Sequence, residues 1–302
     1  MKIATTIEDF YDYSKDPIKC IEWVHSCGFK YLDYSFYLPE VITQTALATD
    51  DYKEYLDKII EKCNALKVKF IQAHAPSCPY NAQGEALEEY FKVLRRVIEC
   101  CSYLKIDKLV VHSIFKREIS KAENFKLNKE FYLNFLDYAE SLGVKILTEN
   151  FNKCISPEKL YYIDDVKDLK ELVEYINHKN LGVCYDIGHA NMQDAPQNEQ
   201  LKVLGKYVDA LHVQDNNGLI DYHIAPFFGT TNYDSVMDGL KEIGYNGYFT
   251  LEATYFFMRP EFRTKYKENK LFRVPFEIKL EAEKMLYSIA KHILLTYDCF
   301  EE

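Results

Sequence analysis

The 302-residue chain is 48% hydrophobic and carries 37 basic against 47 acidic residues, a net charge of −10; this excludes intrinsic disorder, and the acidic surplus disfavours a nucleic-acid partner. Nine cysteines, an odd number with no C-x-x-C pair, exclude a disulfide framework and a cysteine-rich structural zinc site, and fit a reducing compartment. The opening MKIATTIEDFYDYSKD lacks the apolar stretch of a signal peptide and no run approaches the roughly 18 apolar residues of a membrane span, so a soluble, cytoplasmic protein with no membrane partner is expected.

In chain order, short apolar runs lie at Lys2–Thr6, Tyr31–Phe36, Lys69–His74, Lys108–His112, Lys145–Asn150, Leu181–Asp186, Ala210–Gln214 and Tyr248–Glu252. Helical patterns fall between them, at Tyr52–Leu66, Leu87–Leu104, Glu130–Leu142, Val166–Asn177 and Ser235–Ile243. In the first of these, Tyr55, Ile59, Cys63 and Leu66 share one face. Gly28, Gly143 and Gly244 each stand where a helix stops before a strand. Strands that alternate with helices must pair in parallel, since each crossover returns over the sheet. Their nearly continuous apolar character fits coverage on both faces. Eight such units predict an α/β fold: one parallel (β/α)₈ TIM barrel spanning 1–302 as a single domain. An open doubly wound sheet competes, but no G-x-G-x-x-G follows the first strand.

Strand after strand ends in a side chain able to hold a metal: His74, His112, Glu149, Asp186, His212 and Glu252, with His189 just after the sixth strand and Asp221 and His223 in the loop after the seventh. The six strand-end residues are 38, 37, 37, 26 and 40 positions apart. A spacing near one βα unit sets them at one height, and a closed barrel turns them toward a common point. One histidine at a strand end is more often a structural residue, and one carboxylate is often a helix cap. Here the pattern repeats at consecutive strands, each time after an apolar run where an unpaired charge is costly. Imidazole and carboxylate without thiolate point to zinc, manganese or a similar divalent ion. His25, His178 and His292 receive no role.

At these residues the chain resembles the xylose-isomerase-like barrel superfamily, in its branch of sugar-phosphate isomerases and epimerases. The resemblance is carried by His74-Ala75-Pro76, Val110-Val111-His112, Glu149-Asn150, Asp186-Ile187-Gly188-His189 and His212-Val213-Gln214-Asp215-Asn216. Asp221-Tyr222-His223 and the run from Gly244 to Glu252 complete it. It implies one ion held by Glu149, Asp186, His212 and Glu252. The apurinic-site endonucleases of the same superfamily bind three zinc ions, and their larger ring would add His74, His112, His189, Asp221 and His223. One to three ions are therefore permitted. The chain departs from the pattern in two places. The loop after His223 lacks the first glycine of the usual Pro-Gly-x-Gly, reading Pro226-Phe227-Phe228-Gly229, and position 218 is Gly where ketohexose epimerases carry an arginine. The second departure argues against a free ketohexose substrate.

The expected activity is a metal-dependent isomerase or epimerase of a sugar, sugar phosphate or related polyol, acting through an enediolate. Glu149 and Glu252 would be the acid/base pair, Asp186 a pure ligand, and His189 a contact to a substrate oxygen. Arg259 and Arg263 lie in a long basic segment from Ala253 to Pro275 and could hold an anionic group, while Tyr255, Phe256 and Phe257 could stack on a sugar ring. A metal-dependent lyase or hydrolase on the same barrel is the alternative, and a non-catalytic sugar sensor a further one. A multi-zinc apurinic-site endonuclease is disfavoured by the acidic charge and by stretches 33–51 and 75–86, which contain no Lys or Arg. A homo-oligomer is compatible with the sequence.

Overall fold

Alternation of side chains along each strand decides what this barrel encloses. The computed structural model describes residues 1–152, 165–193, 195–257, 267–268 and 270–302. Its eight parallel strands are β1 (Lys2–Thr6), β2 (Tyr31–Ser35), β3 (Lys69–His74), β4 (Lys108–Val110), β5 (Lys145–Glu149), β6 (Leu181–Asp186), β7 (Val208–His212) and β8 (Tyr248–Leu251). They pair in sequence order, and β8 pairs with β1. The ring closes between β7 and β8 through Val213. Its N–H donates to the Thr250 carbonyl at 2.8 Å, and its own carbonyl accepts from the Glu252 N–H at 2.9 Å. The seventh strand thus begins at Val208, two residues before the expected start, because Val208 pairs with Val183.

Val110, Leu147, Cys184 and Ala210, one from each of β4 to β7, form a small apolar cluster apart from the main core. Two residues further along the same strands stand His112, Glu149, Asp186 and His212. A period of two puts them on the same inward face, one layer nearer the mouth. Residues of the opposite parity on these strands, Leu109, Ile146, Val183 and Leu211, join the main core beneath the helices. Each donor is therefore a direct product of strand pleat.

The outer layer consists of α1 (Pro17–Ser26), α2 (Pro39–Thr43), α3 (Tyr52–Leu66), α4 (Glu85–Tyr103), α5 (Lys121–Leu133), α6 (Leu136–Ser141), α7 (Val166–Ile176), α8 (Ile187–Asn191), α9 (Gln197–Leu204), α10 (Tyr233–Glu242) and α11 (Phe276–Thr296). The expected helix Glu130–Leu142 is instead two, α5 and α6. A capping box sets the start of α5: Ser120 accepts from the Glu123 N–H, and Glu123 accepts in return from the Ser120 backbone. Its buried face carries Asn124 and Asn128, so hydrophobic periodicity is missing there. No helix among the described residues is long and apolar enough to cross a membrane.

Helix α11 packs against β1 through a buried ionic group. Lys279 lies 3.0 Å from Glu283 and donates to the Thr254 carbonyl at 3.2 Å, while Asp9 accepts from Thr5 Oγ1 at 2.7 Å. Burial and the Glu283 carboxylate hold the Asp9 carboxyl well above the usual range. Burial works against the Lys279 ammonium, but Glu283 and Asp9 raise it. The native state therefore binds the Asp9 proton more tightly than the unfolded chain. This term lowers stability as pH rises from about 4, the unfolded value, until the elevated folded value is passed. Asp9→Asn removes it. Melting temperatures compared across that range are expected to fall less with pH in the variant than in the wild type; equal slopes would exclude Asp9 as the source.

Candidate functional site

The carboxylate of Glu149 is the centre of the barrel mouth. Its oxygens lie 3.7 Å from His74 Nε2, 3.5 Å from His112 Nε2, 3.2 Å from His189 Nδ1 and 3.2 Å from His212 Nδ1. Glu252 Oε2 stands 3.5 Å from His212 Nδ1 and 3.7 Å from His223 Nδ1. Asp221 Oδ2 stands 3.3 Å from His189 Nε2 and 3.1 Å from His223 Nε2. All nine donors expected from sequence come together in overlapping sets. Glu149, Asp186, His212 and Glu252 form one, His74, His112 and Glu149 a second, and His189, Asp221 and His223 a third; within each set the donor atoms lie within 4.8 Å of one another.

Burial disfavours the Glu149 carboxylate, yet the surrounding histidines, His212 foremost, hold it well below the usual range. His189 and His212 are raised well above theirs despite burial, His189 by Asp186 and Asp221, and His212 by Cys184, Glu252 and Glu149 in that order. His74 is raised against burial by Glu149, whereas burial lowers His112. The Asp221 carboxyl sits well below its ordinary value, since His223 and His189 outweigh burial. Burial pushes the Asp186 carboxyl up to about 7 against the pull of His189. Cys184 lies within reach of Glu149 and His212, but burial pushes its thiol up to about 12 and keeps it protonated.

Neighbouring polar groups fix the ring. Asn150 clasps Asp186, with Nδ2 donating to its carbonyl and Oδ1 accepting from its N–H, both at 2.9 Å. Asp186 also caps α8 by accepting from the His189 N–H at 2.5 Å. Gln214 Nε2 donates to Asp221 Oδ1 at 2.7 Å, and Asn152 Nδ2 to Asp221 Oδ2 at 3.2 Å. Ser77 Oγ is 3.2 Å from His112 Nδ1. Sequence reasoning missed Asp33, whose Oδ2 lies 3.6 Å from His212 Nε2, the ring nitrogen facing away from the other donors. The signal was present, because Asp33 is a charged residue inside the apolar run of β2. It also missed Glu8, which borders the mouth and whose carboxyl burial raises.

Among the described residues, three buried atoms in the ring make no hydrogen bond, Glu149 Oε2, Asp186 Oδ2 and His212 Nδ1, the first and last meeting only as an ion-pair contact at 3.2 Å. Orphaned buried polar atoms are costly. These three belong to one donor set of two carboxylates and an imidazole, completed by Glu252, and that set fits a divalent ion. Above the ring lies a cavity of about 680 Å³ bordered by Glu149 and Glu252, as well as His74, His112, His189, Asp221 and His223. Asp186 and His212 are absent from its described lining. Of the aromatics after β8, Tyr255 borders the cavity, whereas Phe256 is buried against Phe228 and Phe257 and is absent from the cavity's described lining. Arg259 and Arg263 lie outside the described residues.

The loop that carries Asp221 and His223 is held by Asp215. Its Oδ2 accepts from the N–H groups of Phe227 and Gly229, each at 3.1 Å, and its Oδ1 from those of Asn216 and Thr231 at 2.8 and 3.1 Å. A Cβ on Gly229 would meet the Asn216 carbonyl at 2.2 Å, so that glycine is required. Phe227, where the family pattern has its first glycine, takes φ 75°.

Residues 21–267 match the model of the family described as xylose isomerase-like TIM barrel. A stretch of 124 residues is 37% identical to an uncharacterized protein of Methanocaldococcus jannaschii, covering 39% of each chain. Another of 138 residues is 23% identical to the D-psicose 3-epimerase of Ruminiclostridium cellulolyticum, covering 46% of this chain and 44% of the relative. The chain thus matches less than half the length of either relative. Among solved structures, the IOLI protein with a binding zinc atom superposes with a TM-score of 0.74 at 21% identity, over 98% of this chain and 99% of its own.

Left-handed backbone at a bulky side chain costs about 1–2 kcal/mol, and the Phe227 ring is largely exposed. Phe227→Gly is expected to raise the free energy of unfolding by about 0.5–1 kcal/mol after the extra chain entropy of glycine is charged. Denaturant unfolding checks this; a loss of stability would show that the Phe227–Tyr233 ring contact outweighs the strain.

Proposed function

This chain belongs to the xylose isomerase-like TIM-barrel family, and from that premise we propose that it is a divalent-metal-dependent isomerase or epimerase of a sugar, sugar phosphate or related polyol. The observation that carries the reading is the meeting of Glu149, Asp186, His212 and Glu252, three of them with a buried atom that makes no hydrogen bond among the described residues, beneath a cavity able to admit a small molecule. These four would hold the ion. Bound there, it supplies Lewis acidity toward a carbonyl and its neighbouring hydroxyl.

The chain's own groups supply proton transfer and orientation. Isomerisation or epimerisation removes a hydrogen beside a carbonyl, passes through an enediolate and returns a proton elsewhere or to the other face. Glu149 and Glu252 both border the cavity, on strands five and eight, so one takes the proton and the other gives one back. Asp186 and His212 act as ligands only. His189 borders the cavity; the Asn150 carbonyl orients it through Nδ1, and its Nε2 N–H, shared with Asp221 Oδ2 at 3.3 Å, donates to a substrate oxygen.

A metal-dependent hydrolase is the second reading. The His189, Asp221 and His223 set favours it, since it offers a further ion a place beside the first.

Two outcomes are expected. In metal-loaded protein, Glu149→Gln and Glu252→Gln each slow exchange of substrate carbon-bound hydrogen with solvent deuterium by at least about 100-fold. Ion content is measured on each variant, and normal exchange in a loaded Glu252→Gln enzyme would favour the hydrolase. A carboxylate behind a ligating histidine fixes its tautomer, and removing such a partner typically costs about 10–100-fold in affinity. Asp33→Asn, which keeps the shape but not the charge, is therefore expected to weaken zinc binding by about that factor in competition with a chromophoric chelator. Unchanged affinity would remove Asp33 from the site.

A further inference from the structure

The cavity over the donor ring, at about 680 Å³, lies well inside the range of roughly 300–1,000 Å³ that encloses drug-sized ligands. It is larger than a lone monosaccharide fills, and its two sides differ. The donors gather on one side. Away from them the lining includes Leu38, Tyr80, Leu87, Ile114, Phe115 and Leu127, with Asn81, Gln83 and Lys116 as polar members. Tyr80 and Phe115 stand 5.4 Å apart, with their rings tilted by 47°. Two further rings continue this surface to the donors: Tyr37 meets His74 at 5.1 Å and Phe151 meets His112 at 4.9 Å.

The wall is built before any ligand arrives. Tyr90 Oη donates to the Pro76 carbonyl at 3.1 Å and pins the loop after β3. Asn128 pins the loop after β4 from both sides of one residue, accepting from the Ile114 N–H at 2.9 Å and donating to its carbonyl at 2.6 Å. Asn124 does the same at Lys116, accepting from its N–H at 2.8 Å and donating to its carbonyl at 2.9 Å. Loops held this way lose little freedom on binding.

We propose that this wall is a subsite for an apolar, aryl-type substituent, and that the substrate is a sugar derivative carrying such a group. The inference rests on the sugar reading above and names its substrate class. Sugar hydroxyls laid against Leu87, Ile114 and Leu127 would give up water without gaining partners. A flat apolar ring loses nothing against those three side chains, and Tyr80 and Phe115 offer it the aromatic contacts that such rings favour.

The test uses zinc-loaded full-length protein and the 6-O-methyl and 6-O-phenyl ethers of D-glucose and D-galactose, which keep the carbonyl carbon unblocked, with affinities measured by calorimetry. For at least one sugar, the phenyl ether is expected to bind at least tenfold more tightly than the methyl. Tyr80→Ala, at an exposed position, is expected to remove most of that preference while leaving methyl ether binding unchanged, and Tyr80→Phe to retain it. Equal affinities within both pairs would overturn the subsite and leave the sugar reading standing. Failure of all four ethers to bind would overturn both.

Discussion

Nine side chains that are individually better solvated in water are gathered at the mouth of this barrel, and the Glu149 carboxylate makes their company tolerable. It lies within 3.2–3.7 Å of a nitrogen of four histidines at once. A buried carboxylate alone would take up a proton. A buried cluster of imidazoles alone would shed its protons. Placed together, carboxylates and imidazoles reverse each other's tendencies: Glu149 is driven down, His212 foremost among the causes, while Glu149 drives His74 up and Asp186 and Asp221 do the same for His189. Outside the ring, the same logic runs on a smaller scale at Asp9, Lys279 and Glu283, where a helix rather than a strand brings the partners.

Site and fold are not separable at Asp186. It pairs with His212 in the ladder between β6 and β7, exchanges two hydrogen bonds with Asn150, and caps the short helix that presents His189. A displacement of its backbone would move one donor in register and another through the cap. Gln214 extends the coupling to the loop after β7, because its amide touches Asp186 as well as Asp221. Gly188 leaves room for that amide: a Cβ there would lie 2.1 Å from Gln214 Cδ.

Strand ends were legible in the sequence because pleat and βα spacing act locally, and a residue type at a regular interval carries that information. β1, β3 and β6 fall at the expected residues for this reason. What escaped depends on contacts across the barrel. Asp33 reaches His212 from β2, and no interval along the chain links the two. Helix α5 was misplaced because its buried face uses asparagines to hold a loop, so the apolar period that marks a helix is absent, although Ser120 and Glu123 announced its start. The partial burial of Tyr255 against the full burial of Phe256 is likewise a matter of packing that composition does not record. The segment with Arg259 and Arg263 lies beyond the described residues.

The junction of β7 with β8 differs from the other seven. Elsewhere adjacent strands share a ladder of at least two residue pairs; here, among the described residues, one bridge at Val213 closes the ring. His212 directly precedes that bridge, and Glu252 donates one of its two hydrogen bonds. Whatever draws those two side chains together also clasps the least-paired joint of the barrel. The Val213 and Glu252 amides would then exchange with solvent as a pair, reporting breathing of the whole ring from two backbone positions.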